Sequence, residues 1–122
     1  MTNKQKEQLA TEIFEWLVEH EMWVDVCIYF NGKRWGTHNT ETGEYHYNEH
    51  KYYEDEAEPR DYFEYVNEPN ILSMSFEGPL YYVLNAYTPG WTKLEDEFSK
   101  IFEKYDLYYE LGHAWNLSCY EI

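Results

Sequence analysis

Asn31-Gly32 stands between residues 22–30, where Val24, Val26, Ile28 and Phe30 fall on one side of an extended chain, and residues 33–37. A two-residue turn of this composition takes positive φ at both positions and matches the right-handed twist of paired strands. It commits the chain to an antiparallel hairpin, and so to a sheet in which successive side chains part to opposite faces. A second hairpin is predicted over 71–76 and 80–85, turning at Glu77-Gly78-Pro79. The last stretch, 107–122, reads as one or two strands with Gly112 as a bulge or break.

Two segments switch to helical spacing. In residues 3–20, Leu9, Ile13, Trp16 and Leu17 recur on one stripe that Ala10, Phe14 and Val18 widen. Thr2 or Asn3 is the expected cap, and Glu7 favours the helix start through the dipole. Residues 93–105 place Leu94, Phe98, Ile101, Phe102 and Tyr105 inward, with Thr92 and Glu95 as a capping box after the Pro89-Gly90 turn. A chain of 122 residues buries roughly two-thirds of its unfolded surface, enough for one core. The expectation is an α+β fold: one domain over 1–122, an antiparallel sheet of about four to six strands, and two helices packed on it.

A weak echo at an offset of 85 residues pairs Glu12, Ile13, Trp16 and Leu17 with Glu97, Phe98, Ile101 and Phe102. It continues from His20-Glu21-Met22-Trp23 to Tyr105-Asp106-Leu107-Tyr108. Either the same helix-to-strand connection is used twice, or any amphipathic helix entering a strand reads this way.

The charge balance narrows function. Asp and Glu number 24 against 9 Lys and Arg, a formal net of −15. Such a surface repels nucleic acid and anionic membranes, so neither is expected as a direct partner. No apolar run approaches the ~18 residues of a membrane span, and no secretory signal pattern stands at the start. The two cysteines, Cys27 and Cys119, are too few for a disulfide scaffold and sit among apolar residues. A cytoplasmic, reduced protein is expected, with a Cys27–Cys119 bridge as the minor alternative in such a compartment.

Residues 41–68 stand apart. They hold ten acids against Lys51 and Arg60, yet also six tyrosines and Phe63. Disordered acidic runs are poor in aromatics, so this segment is expected to be an ordered excursion, with short strands around 45–47 and 62–66.

Signals of catalysis are sparse. His46-Tyr47-Asn48-Glu49-His50 spells H-x-x-E-H, the inverted zinc-hydrolase string, which on a helix would set His46 and His50 one turn apart with Glu49 as general base. Its flanks lack the apolar stripe that would anchor such a helix, and on a strand the two histidines would lie ~13 Å apart. A zinc-binding protein or hydrolase built on these three residues is therefore the alternative of a different class. The six glycines form no phosphate-cradling loop, and no serine occupies a nucleophile elbow. A Cys27 or Cys119 pair with His113 reads as a core thiol beside a surface histidine. Neither enzyme activity nor a cofactor is expected.

What remains is the acidic surface. Glu54, Glu56 and Glu58 alternate, and an extended backbone would align them at ~6.6 Å intervals. Phosphates rise ~3.4 Å per nucleotide along each strand of a duplex, so such a row could occupy lysines and arginines that grip phosphate. Asp55, Asp61 and Glu64 extend the acidity, and Tyr52, Tyr53, Tyr62 and Tyr65 are interleaved with it as amphipathic anchors. Glu12, Glu15 and Glu19 form a second row on the first helix. Like charges this dense destabilise a fold unless a basic partner neutralises them.

In size, acidity and tyrosine content the chain resembles the small anti-defence proteins of phages and mobile elements, the anti-CRISPR and anti-restriction inhibitors of DNA-mimic type. The resemblance is one of general character over the whole chain and rests on no diagnostic motif. It implies a stoichiometric inhibitor that occupies the basic nucleic-acid-binding groove of a nuclease or effector complex. The same physics would serve an immunity protein against a basic nuclease toxin.

Overall fold

In a computed structural model covering residues 1–122, all strands join one six-stranded antiparallel sheet. The elements run α1 (Asn3–Glu19), β1 (Val26–Phe30), β2 (Lys33–Gly36), β3 (Tyr53–Glu56), a 3-10 turn at Pro59–Asp61, β4 (Ser73–Phe76), α2 (Pro79–Leu84), α3 (Trp91–Glu103), β5 (Leu107–Leu111) and β6 (Asn116–Glu121). Spatial order is β3-β2-β1-β4-β6-β5, with α1 and α3 packed on one face. The α+β architecture expected from the sequence is thus present.

The β1–β2 hairpin closes on Asn31 at φ 50° and Gly32 at φ 74°, the conformation its two residues favour. Its register sets Ile28 against Trp35 and Met74, and Cys27 against Gly36 and Ser75. Val26, Ile28, Phe30, Trp35, Met74, Phe76, Leu117 and Cys119 therefore point to the helices, where they join Leu9, Ile13, Leu17, Phe98 and Phe102 in the core. Full burial of one such side chain stabilises by about 1.5–3 kcal/mol. The far face carries Cys27, Tyr29, Arg34, Ser73, Ser75, Asn116 and Ser118. Cys27 and Cys119 thus lie on opposite faces as free thiols.

Local chemistry departs from expectation in three places. Residues 79–84 are helical where a strand over 80–85 was expected, because Pro79 at the first helical position sets φ and Leu80 and Val83 bury one face together. Only β4 remains of the second hairpin. Gly78 is needed there for space, since a Cβ would sit 2.3 Å from the Val24 carbonyl oxygen. Helix α3 starts at Trp91 after Gly90 at φ 79°, so Thr92 lies inside it and forms no capping box. Glu95 instead accepts hydrogen bonds from Ser99 and from the Tyr109 hydroxyl at 2.9 Å each. At α1 the reciprocal box is Thr2 with Gln5. Residues 22–25 turn before β1 begins, so the 85-residue echo covers the helices and their ends but not the strands.

The echo has a structural counterpart: Glu21 and Asp106, 85 residues apart, both end a helix in the left-handed region, at φ 59° and 58°. Ala86 does the same after α2 at φ 64°, with its N–H on the Val83 carbonyl and the Tyr87 N–H on that of Tyr82. Left-handed backbone costs about 1–2 kcal/mol without glycine, and Ala86 is exposed, so its methyl contributes little in return. After the entropy of glycine in the unfolded chain is offset, Ala86→Gly is expected to raise unfolding free energy by about 0.5–1 kcal/mol. Urea unfolding of the two proteins measures the difference, and a loss of stability would contradict it.

Several core groups are held neutral. Burial pushes the Cys119 thiol from an ordinary 9.0 up to about 12 and raises the Tyr29 phenol. Burial, then a hydrogen bond to Glu12, lifts Tyr105 to about 12, and burial with Glu95 lifts Tyr109 further. Each raised value means that stability is complete below the unfolded-state pKa and is lost as pH climbs through the folded-state value. Unfolding free energy should hold to about pH 9 and fall between pH 9 and 12, less steeply in Cys119→Ala. Equal stability at pH 8 and 11 would count against this account.

Candidate functional site

The acidic segment does not form one row. In β3, paired to β2, Glu54 lies opposite Trp35 and Glu56 opposite Lys33, toward the helices, whereas Asp55 lies opposite Arg34 on the far face. Glu54 is also engaged: Trp35 Nε1–H donates to it at 2.8 Å and Lys33 Nζ is 3.4 Å away. After Glu56 the strand ends, and Glu58 leads into the 3-10 turn beside Gly32. The expected rail of Glu54, Glu56 and Glu58 is therefore corrected to two residues on one face of β3, one of them internally paired. The row on α1 is likewise partly used. Glu12 takes Lys104 at 3.1 Å and the Tyr105 hydroxyl at 3.0 Å, Glu15 takes His50 at 2.8 Å, and Glu19 is free.

Nor does H-x-x-E-H form a metal site. Residues 45–51 are not helical, and Asn48 has φ 54° because its side chain and N–H bind the backbone of Val18 and Trp23. His46 is buried and stacked on Tyr53 at 4.5 Å, while His50 is exposed against Phe14 and Glu15. Glu49 approaches His46 Nδ1 to 3.2 Å outside hydrogen-bonding angles, leaving both ring nitrogens without a hydrogen bond. No three ligating side chains converge here or elsewhere. His113 sits in the β5–β6 turn beside Trp115, away from the core thiol of Cys119.

The segment instead builds two walls on the far face. Residues 37–46 form an excursion closed by the His38–Tyr45 bridge, the only strand-like pairing at 45–47. Residues 57–70 cross the sheet as a strap. Tyr62 and Phe63 pack on Tyr29, Phe63 meets Trp115 edge-on at 5.8 Å, and Tyr65 meets His113. The expected strand at 62–66 is absent, since Tyr65 turns the chain at φ 63° and Asn116 instead holds the Glu64 carbonyl.

Between the walls lie two adjoining depressions with Cys27 and His38 in common. The larger, about 320 Å³, has Tyr45, Tyr62, Phe63 and Trp115 around it, Tyr29, Cys27 and Ser75 on its floor, and Asp25 and Glu77 at one end. The smaller, about 200 Å³, contains Arg34, Asp55, Tyr53 and Glu41. Arg34 lies 4.8 Å from the Tyr62 ring and 5.9 Å from that of Tyr29. Its Nε donates to Asp55 Oδ1 at 2.9 Å and its Nη2 to Oδ2. Hydrogen bonding to Asp55 drives the Arg34 pKa upward, so this cation is permanent and internally neutralised. Burial pushes the Cys27 thiol up despite Arg34, so it is a neutral floor group and not a thiolate nucleophile.

Of the residues singled out from sequence, Tyr62, Asp61 and Glu64 share the strap, and Tyr65 sits at its far end. Tyr52 stacks on Trp35 at 4.1 Å on the helix face, and Tyr53 donates to Glu44 at the edge. Tyr45, Trp115, Asp25 and Glu77 were missed: the β1–β4 pairing joins Asp25 to Glu77, the β4–β6 pairing brings Trp115 and the His38 bridge brings Tyr45, and local pattern carries no sign of which segments pair. The chain matches no family model, no curated protein and no solved structure.

Arg34→Met should cost about 2 kcal/mol, by leaving Asp55 without its fork and removing a ring contact. Asp55→Asn should cost less, because one amide oxygen still accepts. Thermal and urea unfolding give the ranking, and equal stability of Arg34→Met and wild type would refute it.

Proposed function

We propose that this protein is a stoichiometric acidic inhibitor that occupies the basic nucleic-acid-binding groove of a nuclease or of a CRISPR or restriction effector. The observation that carries this reading is a surplus of carboxylate with no internal cation. Nine of the 24 acids lie within 4 Å of Lys, Arg or His. The other fifteen include Glu56, Glu58, Asp61 and Glu64 around the strap and Asp25 and Glu77 at the cavity. Exposed tyrosines stand among them, Tyr62 at 52% and Tyr65 at 61% exposure. Aromatic rings beside unpaired charge are what a desolvated, charge-complementary interface needs. The paired Glu54, Asp55, Glu12 and Glu15 serve the fold, and the acidity offered to a partner comes from the strap and the cavity mouth. The proposed decoy is therefore the strap with Glu56 at its root and the cavity mouth, not a row along β3.

The test is inhibition of DNA cleavage by a panel of purified CRISPR effector nucleases, restriction endonucleases and nuclease toxins. Wild type should titrate at least one of them near one to one and weaken as salt rises. Glu56→Lys, Glu58→Lys, Asp61→Lys and Glu64→Lys together should reduce potency on the order of 100-fold. A matched variant reversing Glu19, Glu21, Glu103 and Glu121 should change it less than about fivefold. No inhibition across the panel, or equal losses in the two variants, would end the proposal.

A further inference from the structure

We propose that the larger far-face cavity is a guanidinium site, taking one arginine side chain of a protein partner in preference to lysine. The identity of that partner rests on the inhibitor reading above, whereas the selectivity follows from the cavity itself.

Asp25 and Glu77 lie side by side where β1 begins and β4 ends, joined by the Glu77 N–H on the Asp25 carbonyl at 3.1 Å. Both side chains are exposed, and neither has a cation within 4 Å. No Lys or Arg lines the cavity and His38 is its one imidazole, so no fixed cation offsets Asp25 and Glu77 there. Around it stand the rings of Tyr45, Tyr62, Phe63 and Trp115, Tyr45 stacked on His38, Trp115 on His113 and Tyr62 beside Arg34, an aromatic wall of the kind that attracts a cation, and beneath them Ser75 offers a hydroxyl acceptor.

A planar, weakly hydrated guanidinium uses all of these features together. It stacks on rings and forks onto carboxylates, whereas an ammonium is a compact, strongly hydrated point charge. The molecule already treats a guanidinium this way next door, where Arg34 is forked onto Asp55 between Tyr29 and Tyr62. The larger cavity offers the same chemistry without an internal occupant. Tyr45 and Tyr62 are each about half exposed at its rim, so a side chain projecting from a partner's surface can enter.

The test compares fluorescein-labelled hexa-arginine and hexa-lysine, equal in length and charge, by anisotropy against the full chain at fixed ionic strength. Wild type should favour hexa-arginine about tenfold. Tyr45→Leu with Trp115→Leu keeps apolar bulk but removes two π-faces. It should bring the ratio near one, with hexa-lysine affinity falling far less than that of hexa-arginine. Asp25→Asn with Glu77→Gln should weaken both peptides. The single Tyr45→Leu variant alters a half-exposed residue and should lower the ratio even if the double variant fails to fold. A wild-type ratio near one, or a ratio that survives loss of the rings, overturns the site. A protein that inhibits nucleases without arginine preference would sink this assignment alone. Arginine preference in a protein that inhibits none would sink the inhibitor reading and keep the cavity.

Discussion

With only Asn31 and Gly32 between β1 and β2, the hairpin has a single register, and every later side chain inherits its side of the sheet from it. Trp35 turns toward the helices and Arg34 away from them. When β3 pairs with β2, Glu54 must go with Trp35 and Asp55 with Arg34. One residue of slip would bury Arg34 beside Phe30 and Tyr52 and expose Trp35. The core and the charged face are therefore consequences of one two-residue turn.

The same parity explains how so acidic a chain holds together. Its few cations are placed where negative side chains converge: Lys33 between Glu7 and Glu54, Lys104 on Glu12, and Arg60 on Glu68. Exposed pairs of this kind are each worth little. The Arg34–Asp55 fork differs, because the arginine is mostly enclosed by tyrosines. Unpaired acids are left where no core depends on them, at strand ends and on the strap.

Helix positions, the first hairpin and the fold class were legible because they are local: apolar spacing in 3–20 and 93–105, and a turn dipeptide that permits one geometry. Residues 80–85 were misread since Leu80, Val83 and Leu84 satisfy either period over so short a run, and only Pro79 tips the balance toward helix. The acidic segment was legible as an ordered aromatic feature but not in its shape. Alternation of Glu54, Glu56 and Glu58 implies one side only while the strand lasts, and β3 stops at Glu56. The cavity depends on pairings between distant segments, Val26 with Phe76 and Ser75 with Asn116, which leave no trace in neighbouring residues. His46 and His50 show the converse: a recognisable string whose local backbone, turned at Asn48, sends its members apart.

Both walls of the groove hang from the same short edge strand, since β3 is the sole regular element joining the excursion to the strap. Four residues paired to β2, with one guanidinium fork locking them, thus set the width of the opening. The two flanks work as jaws on a common hinge. Loosening β3 would release both at once and would also shift Tyr53 and Asp55, which line the smaller depression.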